Sequence, residues 1–363
     1  MEVDVYTDFG KDIENIWTDF EKIAVMTPFQ SFAWLSHWQD TVGGPLFAVK
    51  PQIVHVYNEE STVAIMPLGI RKIMGIKILE WLGGTNSDYM GPLVYPDFND
   101  HFETKDLWEE MKSRFLNYNV IHLQKQPKWV VELLDHIGFS SSCNQHLKAY
   151  KIEIPEDWDT YFNGIKKRMR SDSRRQRRRL KEIGDINFNF SERLKDKTEI
   201  IQSMITQKSR RYREIGVKDM LAIEEYQQFY QGLAYFSSDN IKIHCSSLNV
   251  NEVMVATHVG FVDKNTFYYL MPAHECGEWL RYSTGRLLLL ELIKWSIEKG
   301  LKYFDFTIGG EDYKQDWCNQ KELLYYYLIP NSILGKLYIT LIKLKLYLKE
   351  QPIVKYLRRL FIG

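Results

Sequence analysis

The chain has 363 residues, of which 45% are hydrophobic and 26% charged, so it can bury the cores of about two domains and is not a disordered chain. Its 47 basic and 47 acidic residues cancel, which argues against a global polyelectrolyte attraction to nucleic acid. Cys143, Cys245, Cys276 and Cys318 are widely spaced and form no C-x-x-C pair. Neither a zinc site nor a disulfide framework follows, and reduced thiols in a cytoplasmic protein are the expectation. The opening Met-Glu-Val-Asp-Val-Tyr lacks the basic and apolar regions of a signal peptide, and no run of about 18 apolar residues could cross a bilayer.

In chain order, Ile13, Ile16, Trp17, Phe20 and Ile23 recur at helical spacing and predict an amphipathic helix over 11–24. Thr27-Pro-Phe-Gln-Ser31 breaks it, and a short helix is expected from Phe32 to Thr41. Strand-like segments follow at 47–49, 52–57 and 62–71, then a loop over Gly83-Gly-Thr-Asn-Ser-Asp-Tyr89. A helix is predicted over 102–118, a strand over 120–124, and a helix over 129–137 stopped by Gly138. From about residue 150 a similar order recurs. It comprises a strand at 150–154, helices from Trp158 to Gly184, a strand at 186–190, and helices near 194–213 and 224–236. Strands at 241–248, 252–262 and 266–271 then form a meander, followed by a Gly285 turn, a helix to Gly300, and strands at 302–307 and 322–328. The expected class is α+β, in two halves that each carry a mixed, mostly antiparallel sheet flanked by helices. The division is an N-terminal domain over 1–150, a C-terminal domain over 151–330, and a basic tail over 331–363.

The turn Arg281-Tyr-Ser-Thr-Gly-Arg286 runs directly into Leu287-Leu-Leu-Leu-Glu-Leu-Ile293. A helix start carries unpaired N–H groups and the positive end of the dipole, and so suits a phosphate. Gly285 would let the backbone come close to such an anion. The alternative is a loop that only caps a buried helix.

Two segments concentrate positive charge. Ten of the sixteen residues from Lys166 to Lys181 are Lys or Arg, offset only by Asp172. From Asn331 to Gly363 seven basic residues face one acidic one, a net of +6, among dense apolar residues. Such runs are either solvated faces or contacts to something anionic, such as CoA phosphates, a sugar or lipid phosphate, or an anionic membrane surface. RNA is disfavoured for 166–181, because no aromatic residue accompanies the charges. The tail could equally be a helix packed across the two domains.

The sequence resembles the GNAT superfamily of N-acetyltransferases, and within it the cellulose-biosynthesis-type (CelD-like) branch, which is similar to the FemABX peptidoglycan aminoacyltransferases. The residues that carry this are Arg281-Tyr-Ser-Thr-Gly-Arg-Leu-Leu-Leu289, Gly300-Leu-Lys-Tyr-Phe-Asp-Phe-Thr-Ile-Gly-Gly310, Tyr313-Lys314 and Trp317. Upstream are the basic helix before Gly184, Thr27–Ser31 with Trp34, and Ser87-Asp-Tyr-Met-Gly-Pro92. Leu287 stands where the superfamily turn commonly has Gly or Ala. The resemblance implies tandem GNAT-like folds, an acyl-CoA site in the second half, and direct attack of an amine or hydroxyl on a thioester. Acetyl-CoA or a longer acyl-CoA is then the co-substrate, and no metal is implied.

On that reading Arg281, Tyr282, Ser283, Thr284, Gly285 and Arg286 cradle the CoA pyrophosphate. His258, with an ordinary pKa near 6.5, suits a general base or a half-buried histidine bonded to a neighbouring strand. Asp305, on an apolar strand, is a base, an orienting partner or one half of a structural ion pair. Tyr313 would protonate the leaving thiolate and Lys314 would hold an anionic group, unless both belong to a solvated turn. Asp88 and Tyr89 would touch the acceptor. The expected function is acyl transfer to a sugar, glycan or lipid-linked acceptor in envelope or polysaccharide biosynthesis, in the cytoplasm or on the inner membrane leaflet. The rivals are transfer from an aminoacyl-tRNA, the one case that brings nucleic acid in as a partner, and a non-catalytic GNAT-like scaffold that binds anionic lipid or a biosynthetic partner.

Overall fold

The structure is a computed structural model. It describes residues 1–59, 61–96, 98, 106–139, 143–309 and 312–350, without the side chains of 146, 312, 313 and 345–350. The chain divides into two units, one formed by 1–146 with 323–363, the other by 147–322. The sequence placed 323–330 in the second domain and the tail apart. Both join the first unit, because the last strand pairs there with a strand from the chain's first half.

The first unit contains β1 (Glu2–Tyr6), α1 (Lys11–Phe20), α2 (Phe32–Trp38), α3 (Gly44–Phe47), β2 (Lys50–Asn58), β3 (Ser61–Ile73), β4 (Ile76–Trp81), β5 (Leu93–Val94), α4 (Leu107–Arg114), β6 (Val120–Gln126) and α5 (Lys128–His136). β13 (Gln320–Pro330) and α11 (Ile333–Glu350) complete it. The sheet runs β1-β2-β3-β4-β6-β13, antiparallel except where β4 meets β6. α1 forms because Ile13, Trp17 and Phe20 sit on one stripe, and all three are buried. The predicted helix over 102–118 is observed as α4, and 102–105 lie outside the described residues.

The Thr27–Ser31 and Ser87–Pro92 motifs, far apart in sequence, pack together here. Gln30 donates from its amide to the Tyr89 carbonyl (2.7 Å), and the Trp34 indole donates to Ser87 Oγ (3.0 Å). The Lys125 ammonium donates to the carbonyls of Gly84 (3.0 Å) and Ser87 (2.6 Å). Burial pushes the Lys125 pKa down, and the charge of Asp88 pulls it part of the way back.

The second unit contains β7 (Asn144–Glu153), α6 (Trp158–Gly164), α7 (Lys167–Lys181), β8 (Ile186–Ser191), α8 (Leu194–Glu214), α9 (Glu224–Gly232), β9 (Lys242–Val250), β10 (Val253–Val262), β11 (Thr266–His274), α10 (Thr284–Glu298) and β12 (Tyr303–Ile308). Its sheet runs β7-β12-β11-β10-β9-β8, antiparallel except for the β11/β12 pair. β10 is buried along almost its whole length and is apolar apart from Thr257 and His258, as suits a strand covered on both faces. α10 is apolar nearly all round because Leu287–Leu290, Leu292 and Ile293 are all buried. Leu287 therefore belongs to the core and not to the turn's exposed lip.

Candidate functional site

The parallel pairing of β11 and β12 is short. It covers Thr266↔Tyr303, Phe267↔Phe304 and Tyr268↔Asp305, and ends there. Local chemistry in β12 explains why. Its register with β7 shifts between Asp305 and Ile308, and Thr307 takes a left-handed φ of 56°. Asp305 Oδ1 accepts from the Thr307 N–H at 2.6 Å. Lys314 lays its ammonium across the kink and donates to the carbonyls of Phe306 (3.0 Å) and Ile308 (2.9 Å). The bulge turns β12 out of register, so the stretch of β11 from Tyr269 to His274 keeps β10 as its partner on one side and does not pair with β12 on the other.

A cavity of about 650 Å³ opens beside that stretch of β11. Its walls come from β11 (Tyr269, Pro272, Ala273, His274), the start of α10 (Ser283, Thr284, Gly285, Arg286), α8 (Gln207, Lys208, Arg211, Tyr212), Thr257 and Asp316-Trp317. At the α10 end, Ser283 takes a left-handed φ of 51°, which turns the chain sharply into the helix. Thr284 and Gly285 occupy the first two helical positions, where helix geometry offers their N–H groups no carbonyl. The Thr284 hydroxyl donates to the Val255 carbonyl (3.1 Å) and anchors the turn to β10. A Cβ at Gly285 would come within 3.3 Å of the His274 ring, tighter than ordinary contact, so the turn lies close against β11 there. Among the described residues the Arg286 guanidinium has no ion-pair partner.

On α8, Gln207 accepts from Thr257 Oγ1 (2.9 Å) and donates to the Met254 carbonyl (2.9 Å), while Lys208 donates to the Pro272 carbonyl (2.9 Å). Asp316, the carboxylate lining the cavity, is paired with Lys166.

Of the six turn residues expected to hold pyrophosphate, the structure brings Ser283, Thr284, Gly285 and Arg286 to the cavity wall. Arg281 and Tyr282 are used otherwise. Arg281 pairs with Glu278 at 3.7 Å and lies over the Tyr282 ring at 4.9 Å. That ring is buried and also carries Arg179 at 5.6 Å.

His258 is fully buried, stacked against Tyr269 (4.6 Å between centroids) and Phe267 (5.4 Å), with no hydrogen-bond partner for either ring nitrogen. Burial holds its pKa well below 6.5, with His244 and Lys208 adding to the shift. A base must reach the proton it takes, and this ring does not line the cavity. The expected bond to a neighbouring strand is also missing.

Asp305 and Lys314 are both buried, and the contacts just described tie them to the shape of β12. Lys314 does not lie in a solvated turn. Tyr313 belongs to the helical turn Asp312–Asp316, and its side chain lies outside the described residues. Tyr89 is buried with its ring against Phe29 at 5.9 Å, so its side chain is core; Asp88 is half-buried.

The α8 wall, His274 and Asp316 were missed in the sequence. A signal existed for α8: Gln207, Arg211 and Ile215 follow each other at a spacing of four and continue the face of the buried Ile200 and Met204, which puts a buried Gln and an Arg on an otherwise apolar stripe. The basic helix also resolves in part. Arg174 lies over Phe162 (5.2 Å), Arg177 over Phe188 (5.4 Å) and on Glu291 (2.6 Å), and Arg179 over Tyr282. Three of its charges thus pack on rings that come from elsewhere in the chain.

Among the described residues no cluster of metal-ligating side chains occurs. No curated protein matches the sequence. Residues 167–315 match the acetyltransferase (GNAT) domain family. Among solved structures, the chain is similar to FemX (TM-score 0.62, 12% identity, covering 91% of this chain and 98% of that one). It is also similar to L-PGS from Bacillus licheniformis (0.57, 12%, 94% and 98%). A third likeness is to the C-terminal domain of a protein from Agrobacterium fabrum assigned as a lysylphosphatidylglycerol synthetase (0.55, 9%, 90% and 94%). At such identities the likeness establishes the fold, which is the expected α+β class with tandem GNAT-like domains. The second unit, with its splayed β11 and β12 and its helix-capped cavity, contains the residues 167–315 that match the acetyltransferase (GNAT) domain family.

Proposed function

We propose that the second unit binds an acyl-CoA and transfers its acyl group to an amine or hydroxyl of a sugar, glycan or lipid-linked acceptor used in envelope biosynthesis. The observation that supports this most is the placement of the free α10 start beside the stretch of β11 that β12 leaves unpaired. The N–H groups of Thr284 and Gly285 with the Arg286 guanidinium suit a pyrophosphate, and the exposed β11 backbone suits an amide-bearing arm. The cavity volume accommodates such an arm.

The CoA thioester supplies an activated acyl carbonyl. The acceptor's lone pair forms the new C–N or C–O bond, the C–S bond breaks, and the acceptor's proton must leave. In this reading Asp316, which lines the cavity and pairs with Lys166, takes that proton. Asp316→Asn should then slow thiol release from acetyl-CoA, measured against a panel of amine and sugar acceptors, by about a hundredfold while CoA affinity is unchanged. An unchanged rate would remove Asp316 from the chemistry and leave the donor site standing.

Transfer from an aminoacyl-tRNA is the second reading, favoured by the fold shared with FemX. Charged tRNA against acyl-CoA in a thermal-shift assay separates the two. Stabilisation by acyl-CoA alone supports the first, and stabilisation by charged tRNA alone supports the second.

A further inference from the structure

α11 docks on the first unit by one face. Gly335, Tyr338, Ile339 and Ile342 follow helical spacing, and Ile339 packs with Ile78 and Val120. The approach at Gly335 is close, since a Cβ there would sit 2.0 Å from the Asn119 carbonyl. The Asn331 N–H donates to that same carbonyl (2.8 Å), and the Asn119 amide donates to Ser332 Oγ (3.0 Å), which fixes the start of the helix.

The opposite face is also apolar. Ile333, Leu334, Leu337, Leu341 and Leu344 are each at least half exposed and form one stripe along the helix. At about 100° per residue the stripe covers roughly a third of the circumference, and Lys336 and Lys343 run along one edge of it. A soluble surface rarely gathers five large aliphatic side chains in one line without a partner. The docked face accounts for none of them.

Charge decides what the partner is. From Asn331 onward the chain carries a net +6, with Glu350 its single acidic residue. A second copy of the chain would bring like charge to like charge across this face. A surface that offers acyl chains to the leucines and anionic groups to the lysines meets both requirements. No helix among the described residues is long and apolar enough to cross a membrane, so the helix would lie in the interface plane. We infer that the outer face of α11 seats this protein on an anionic lipid bilayer, with Leu334, Leu337 and Leu341 inserted and Lys336 and Lys343 at the headgroups. The inference is independent of which donor the second unit uses.

The test is co-sedimentation of the full chain with vesicles of phosphatidylcholine alone and of phosphatidylcholine with phosphatidylglycerol. The protein should bind the mixed vesicles, in a salt-sensitive way, at least tenfold more tightly than the neutral ones. Leu337→Asp/Leu341→Asp should abolish binding without lowering the melting temperature, because both side chains already face outward. Lys336→Glu/Lys343→Glu should remove the preference for anionic vesicles. Equal binding to both vesicle types, or binding that survives the leucine variant, would overturn the inference. So would sedimentation velocity showing a dimer that the leucine variant dissolves, since the stripe would then belong to a second copy. A fall in melting temperature in the leucine variant, with no vesicle binding by the parent, would show the stripe covered by the chain's own tail.

Discussion

Protonating His258 would place a charge against the rings of Phe267 and Tyr269 with no acceptor at either nitrogen. His244, 6.3 Å away between centroids, is in the same position, and burial pushes its pKa down to about 3. Unfolded, each histidine takes a proton near pH 6.5; folded, each refuses it until far lower. The unfolded state therefore binds more protons below pH 6.5, and stability falls as the pH drops from 6.5 towards the folded values. The loss should approach about 1.4 kcal/mol per pH unit for each histidine. Denaturant unfolding at pH 7.5 and 5.5 measures it, and His244→Phe should roughly halve the slope. A stability independent of pH across that range would mean the rings are not buried neutral. The residue pattern made His258 chemically eligible as a base, but eligibility depends on reach. An apolar strand context is as compatible with a covered strand as with a cavity wall, and β10 is covered.

The kink in β12 creates the opening beside β11, and it rests on two residues that the sequence marked for chemistry. Asp305 fixes the Thr307 N–H, and Lys314 satisfies two buried carbonyls. Lys314→Met would leave the Phe306 and Ile308 carbonyls without that donor and should cost about 2 kcal/mol or more. It should also weaken CoA binding, because the strands could close. Melting and calorimetry on one sample check both effects, and full stability would show that the kink does not depend on the lysine. At this scale the sequence was informative where glycine and periodicity marked a transition. The α10 start, the β9–β10–β11 meander and the stop of α5 at Gly138 all fall where expected. The bulge was not legible, because its left-handed residue is a threonine and its cause is a lysine seven residues on. β1 and β4 were not read either, being short and given their partners only by strands elsewhere in the chain.

Across the whole molecule, a formal charge of zero conceals a deliberate unevenness. α7 spends three arginines on aromatic rings within the second unit, whereas the sequence from Asn331 onward carries a +6 excess and α11 shows an apolar stripe that is exposed among the described residues. The basic run over 166–181 is therefore partly structural, and the tail is the stronger candidate for an outside partner. The order of motifs pointed to the GNAT-type domain and to the turn that heads α10. It could not say which turn residues face the cavity, since that depends on the left-handed Ser283 and on the rings that occupy Arg281 and Tyr282. In the proposed reading this helix start holds the CoA pyrophosphate. Titration calorimetry of acetyl-CoA into the full chain and into Arg286→Glu tests it most directly. The parent should bind saturably and the variant at least a hundredfold more weakly, with an unchanged melting temperature because the side chain is partly exposed. Equal affinity in the two proteins would contradict that reading.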